Sequence, residues 1–407
     1  MRKLKTFFSG LVILSTMLIP IAGDMIYVRG AQGVGHFRRL YDDLAGWQQR
    51  RETLAEHTRK AFQIDLAKAK EPPQGQSAYA PKIEADGIII DRFYVETMPG
   101  YYLCGNLYAS ADEAVNGKPM PLVMLAQGHF NESWDNRDRF FRDFQHLAAA
   151  FAQRGFLVVT WDMIGRGDDR NGRDEEALLP HKDNYNTALQ TWNSIKLLSY
   201  LLSERFTAES AYTVDARYVA LTGASGGGTQ TIHAALLDDR LTAAIPVVMV
   251  SAYSNGGCEC ENGLNAMRDG RFKTNNCERI AAFAPKPLLV ISDGDDWTKR
   301  TPAVEYPYLQ EVYSFYGAKE KVENFHDLHG RHDYSLIKRQ HALDFLLRQW
   351  ALPRNGVYGL PYIKDTYTLQ SYEQLRTFST ASGLARPADA LRSCAELYAR
   401  IRVEVAS

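Results

Sequence analysis

Five short, mostly apolar runs, PLVMLAQ, FLVVTWD, YVALTGA, AIPVVMV and PLLVISD, recur between residues 121 and 293, with longer periodic stretches between them. A strand with one wet face alternates apolar and polar residues, whereas a strand covered on both faces reads as an unbroken apolar run. The intervening stretches, Phe140 to Arg154, Tyr185 to Ser203 and Gly227 to Leu237, have the length and spacing of the covering helices, and Leu336 to Trp350 ends the series. Strand and helix in alternation predict an α/β fold, a mostly parallel central sheet with helices on both faces. Two earlier stretches of strand character, Gly87 to Val95 and Tyr101 to Tyr108, flank Met98-Pro99-Gly100 and predict an antiparallel pair at the start of the sheet.

The flanks read differently. From Val34 to Leu66 charged residues interleave with Leu, Phe and Trp at helical spacing, until EPPQGQSAYAP breaks the pattern. Beyond Leu352 a loop rich in Pro, Gly and Tyr precedes helices expected around Ser371 to Thr380 and Pro387 to Val403. The expected organisation is a leader over 1–31, a helical extension and linker over 32–85, the α/β domain over 86–352 and a helical extension over 353–407. In the leader, Arg2, Lys3 and Lys5 precede an apolar run from Phe7 to Gly23, the order of a secretory signal. That run nears the length of a bilayer span and no small-x-small site precedes Asp24, so a retained N-terminal membrane anchor is the alternative to a cleaved signal.

Charge narrows the partners: 47 basic against 48 acidic residues leave a net charge of -1, which offers no field for nucleic acid. A small or neutral substrate fits better. Five cysteines are too few for a disulfide scaffold, but Cys258, Cys260 and Cys277 lie close enough to expect one bridge, from Cys277 to Cys258 or Cys260. Their spacing does not suit zinc, and no metal or other cofactor is expected.

The chemistry should gather where parallel strands end. Gly223-Ala224-Ser225-Gly226-Gly227 matches G-x-S-x-G between an expected strand and an expected helix, the setting of a nucleophile elbow. A phosphate loop would need a lysine that GASGGGTQT lacks. Serine needs a base, and the base an acid, in the chain order Ser, acid, His. PLLVISDGDDWTKRTP supplies Asp293, Asp295 and Asp296; Asp296 is the expected acid, Asp295 its neighbouring rival and Glu261 in CECENG a further alternative. FHDLHGRHDYS supplies His326, His329 and His332; His332, nearest the last helix, is the expected base. Their three-residue spacing also suits metal ligands on a helix, which Gly330 and the preceding apolar strand argue against. The amide of Gly226 and that of His129, in Gln127-Gly128-His129-Phe130, are the expected oxyanion donors. The His129 ring is alternatively a substrate contact. WDMIGRGDD reads as architecture beside the site.

On GASGGGTQT, QGH, WDMIGRGDD, GGCECENG, DGDDWTKRTP and HDYS, the sequence resembles the α/β-hydrolase fold, and within it the acetyl xylan esterase-like branch of exported bacterial carbohydrate esterases. The resemblance spans roughly Gly87 to Trp350 and implies Ser225 as nucleophile, His332 as base and Asp296 as acid, with no metal. Gln127 departs from it, since many relatives carry histidine there. The expected activity is a serine carboxylic-ester hydrolase working through an acyl-enzyme on a small-molecule or polysaccharide ester. Two other readings remain: a serine peptidase of the prolyl oligopeptidase-like type, for whose propeller the short preface has no room, and a non-catalytic binding module on a hydrolase scaffold, which would be expected to lose one of the three residues.

Overall fold

A computed structural model describes residues 33–129, 138–169, 183, 185–254, 256–258, 261, 272–352 and 365–405. The expected leader lies outside the described residues. Among those described, no helix is long and apolar enough to cross a membrane.

Ten strands form one sheet among the described residues. In chain order they are β1 (Ser77–Tyr79), β2 (Ile83–Ala85), β3 (Ile88–Met98), β4 (Tyr101–Ser110), β5 (Met120–Leu125), β6 (Leu157–Trp161), β7 (Val214–Ala224), β8 (Ala243–Val247), β9 (Leu288–Asp293) and β10 (Val322–Asp327). Their spatial order is β1-β3-β4-β6-β5-β7-β8-β9-β10, with β2 beside β3. All pairings from β6 through β5, β7, β8 and β9 to β10 are parallel, while those among β1 to β4 and from β4 to β6 are antiparallel. The five apolar runs are thus β5 to β9, central and buried on both faces, which is why they lack alternation.

Helices α1 (Leu44–Phe62), α2 (Arg142–Ala152), α3 (Asn186–Leu201), α4 (Gly226–Leu237), α5 (Glu305–Phe315), α6 (Leu336–Gln349) and α7 (Cys394–Glu404) complete the layers. Residues of α2 and α6 join one apolar core, while α1, α3, α4 and α5 share the other. Each fully buried aliphatic or aromatic side chain in these cores is worth about 1.5–3 kcal/mol relative to exposure.

The two flanks are built into this body. Trp47, Leu54 and Phe62 of α1 are buried in the same core as α4, and the Phe62 ring meets His233 edge-on at 4.9 Å. All of α3 is buried because the segment after α1 covers its outer side, where Ser199 Oγ and Lys196 Nζ donate to the carbonyls of Ala69 and Lys68. At the other end, Leu391 N–H donates to the Gly100 carbonyl, and the Val405 carbonyl accepts from Asp65 N–H. The helices expected after Ser371 are shorter than their spacing suggests, Tyr372–Leu375 and α7 alone. In this segment the backbone bonds to a side chain of β3 instead, as where Arg92 Nη1 donates to the carbonyls of Gln374 and Ala381. The expected bridge is not formed: Cys277 is a buried free thiol whose Sγ lies against the Glu305 carbonyl, while Cys260 lies outside the described residues.

Candidate functional site

Ser225 stands between β7 and α4 with φ 55 and ψ -120, a conformation that costs a non-glycine residue about 1–3 kcal/mol and persists only where its surroundings enforce it. Those surroundings are tight. A Cβ on Gly227 would lie 2.3 Å from the Ala126 carbonyl oxygen, and one on Gly128 would lie 2.2 Å from that of Ala224. Glycine at both positions lets the loop after β5 close directly on the elbow. Gln127, where the resemblance leads one to expect histidine, anchors that loop: its carbonyl accepts from Gln230 Nε2 of α4 at 2.8 Å, and its Nε2 donates to Thr160 Oγ1 of β6.

His332 arrives from the loop between β10 and α6. Its Nε2 is 2.9 Å from Ser225 Oγ, and its Nδ1 is 2.6 Å from Asp296 Oδ2. Asp296 is buried, and its Oδ1 accepts from both the amide and the hydroxyl of Thr298 at 2.5 Å. The carboxylate favours the proton on Nδ1, which leaves Nε2 facing the serine as an acceptor. The Trp297 ring packs against the imidazole at 4.4 Å between centroids, and Tyr334 Oη bonds Thr222 Oγ1 of β7 at 2.9 Å, so the loop is fastened on both sides of the ring.

The other expected residues fall elsewhere. Asp295 is exposed and meets Asp293 through its backbone, its N–H donating to Oδ1 at 3.1 Å. His326 lies in β10 with Nδ1 2.9 Å from Ser292 Oγ. Glu261, weighed as an acid for the histidine, instead meets the serine itself, with Oε1 2.8 Å from Ser225 Oγ. Its Oε2 accepts from the amides of Gly257 and Cys258 at 2.8 and 3.2 Å. The serine hydroxyl thus has one proton and two acceptors within reach.

His129 Nδ1 lies 3.6 Å from Glu261 Oε1. Burial opposes the charge on each partner, but each is outweighed by the other: Glu261 is held below its usual range by His129, Ser225 and His332, and His129 is lifted above its own by Glu261. The Gly226 amide opens α4, where no intrahelical acceptor exists for it, and a Cβ there would be 3.5 Å from Gly128 Cα.

Beside this group, the end of β6 is closed. Arg139 pairs with Asp162 at 2.5 Å and with Asp168, Arg166 pairs with Asp138, and Arg376 with the Thr377 amide completes Asp168 at 3.0 and 2.7 Å. Cys104, Asp162 and Asp168 have the donor atoms and closeness of a metal site, but the guanidinium of Arg139 already occupies both carboxylates. What the sequence reading missed are the supports: Thr298 under Asp296, Trp297 beside His332, and Lys338 behind the loop. Two of them carried a signal in the run DDWTK, directly after the chosen acid.

No family model matches the sequence, and no curated protein matches it. Solved structures do. A methylesterase, BT1017, is 29% identical with a TM-score of 0.77, over 91% of this chain and 78% of that one. A candidate acetyl xylan esterase from Bacteroides fragilis NCTC 9343 is 12% identical with a TM-score of 0.51, over 72% and 80%. A glucuronoyl esterase from Solibacter usitatus is 17% identical with a TM-score of 0.48, over 76% and 94%. The fold is that of the α/β-hydrolases, shared with the methylesterase and with the candidate acetyl xylan esterase.

Proposed function

We propose that this chain, an esterase of the α/β-hydrolase fold, is a serine carboxylic-ester hydrolase that removes an acyl or alkyl group from an esterified carbohydrate. One observation carries the reading: the Ser225 hydroxyl, the His332 imidazole and the Asp296 carboxylate form one line of hydrogen bonds of 2.9 and 2.6 Å at the mouth of a strained turn.

His332 Nε2 takes the Ser225 proton as Oγ attacks the ester carbonyl. The carbonyl oxygen becomes an oxyanion held by the amides of Gly226 and His129, next to the positive end of α4. The imidazolium, steadied by Asp296, returns its proton to the departing alcohol, which leaves an acyl-serine. Water then gives its proton to the same Nε2 and attacks the acyl carbon, freeing the acid and restoring the hydroxyl. Glu261 holds the serine hydroxyl and the 256–258 turn in place without taking part in bond making. Support for an ester substrate comes from the likeness to the 29%-identical methylesterase, and for the carbohydrate class from the sequence resemblance. The basic-then-apolar order of the first residues supports action outside the cytoplasm.

Ser225→Ala is expected to abolish hydrolysis and fluorophosphonate labelling while leaving the unfolding temperature unchanged. Substantial remaining turnover refutes the assignment. A panel of methyl, acetyl, feruloyl and glucuronoyl esters then assigns the substrate, and activity on peptides but on none of these esters replaces the esterase reading.

A further inference from the structure

The proposed base and acid sit on different loops, and one buried cation lies behind both. Lys338 enters α6 six residues after His332, and its side chain is 0% exposed. A buried ammonium is expensive unless its hydrogens and its charge are matched. Its Nζ donates to Asp293 Oδ2 at 3.0 Å, to Asp333 Oδ1 at 3.1 Å, to the Asp333 carbonyl at 3.2 Å and to the Arg331 carbonyl. Arg331 and Asp333 are the residues on either side of His332, so the ammonium grips the backbone of the base on both sides.

Asp293 carries the same grip to the acid. It ends β9, its side chain also 0% exposed, and its second carboxylate oxygen accepts from Asp295 N–H at 3.1 Å. Its own amide donates to Thr298 Oγ1 at 3.1 Å, and that hydroxyl donates to Asp296 Oδ1 at 2.5 Å. A continuous set of hydrogen bonds therefore runs from the two neighbours of His332, through Lys338 and Asp293, to the turn that holds Asp296. An ion pair serving stability alone has no need to bind the carbonyls of two residues that bracket a third.

We propose that Lys338, with Asp293, is a positioning residue that sets the distance and angle between His332 and Asp296. The inference rests on the roles proposed above for those two side chains. Lys338 touches no reacting atom, and its effect passes through the imidazole.

The test uses Lys338→Met, Lys338→Arg and Asp293→Asn in the full chain, with three readouts: kcat and KM on a small ester, the rate of fluorophosphonate labelling at Ser225, and the downfield proton signal of His332 Nδ1–H in histidine-labelled protein. A misplacement of this kind is worth on the order of a hundredfold in rate. Lys338→Met is expected to lose about that much in kcat and labelling rate, with KM unchanged and the His332 signal shifted or lost. Lys338→Arg is expected to recover part of both. A folded Lys338→Met with the parent's labelling rate and the parent's histidine signal overturns the proposal. If that variant does not fold, Asp293→Asn decides by the same measurements and the same criteria. A parent that the probe does not label at Ser225 defeats the esterase reading instead, and the histidine signal still judges the clamp.

Discussion

The ends of β6 and β7 are both rich in glycine and polar residues, in WDMIGRGDD and LTGASGGG, yet they have opposite fates. At the end of β6 the charges are matched internally: Asp162 and Asp168 close on Arg139, Asp138 closes on Arg166, and the C-terminal segment adds Arg376 and the Thr377 amide. At the end of β7 the serine hydroxyl faces an imidazole whose side chain is 31% exposed, so a proton can move between them where a substrate can arrive. Charges matched internally hold elements together; a proton held between two acceptors at an opening is available for chemistry.

Four substitutions test that contrast. The largest effect is expected for Asp296→Asn, which keeps the shape but no longer favours the Nδ1–H tautomer of His332; kcat should fall by roughly 10³–10⁴-fold with little change in melting temperature. Arg139→Met should do the reverse. It leaves buried Asp162 without its cation and Asp168 with Arg376 alone, and should cost about 3–5 kcal/mol in urea unfolding, with turnover per folded molecule retained.

Glu261→Gln lies between the two regimes, because its carboxylate both touches the serine and caps the 256–258 turn. Its loss should cost about 1–3 kcal/mol and change the pH dependence. Glu261 is depressed below 4.5 in the folded protein, so its contribution is present above that pH and fades as pH falls through the folded value. His129 is raised above 6.5, so its contribution is present below that pH and fades as pH rises through the folded value. The pair therefore adds most stability between about 4.5 and 6.5, and melting curves of Glu261→Gln across pH 4–8 should lose that maximum. The smallest effect belongs to Asp295→Asn, an exposed side chain, which should stay within about 0.5 kcal/mol and keep full activity. A large loss there would exchange the roles given to Asp295 and Asp296.

The mostly parallel sheet could be anticipated because β5 to β9 are unbroken apolar runs, and the elbow because two glycines flank a serine at such a run's end, whereas the strand order came only from the fold. The neighbours of Ser225 were harder to read. Glu261 was visible as a carboxylate after a strand but not as a partner of the serine, since its oxygens are aimed by the amides of Gly257 and Cys258. The C-terminal stretch misled for a related reason: helical spacing beyond Ser371 competes there with backbone bonds to Arg92, Asn106 and Asp168, groups supplied by distant segments.

Local pattern therefore determined the layered α/β body, the strained turn and the residue types that meet there, because apolar period and glycine placement act over a few neighbouring residues. The tertiary structure alone decided which of three aspartates faces His332, what Glu261 touches and where Lys338 is buried. Those choices depend on distances between loops more than thirty residues apart in the chain, which only the packed sheet brings within a hydrogen bond of one another.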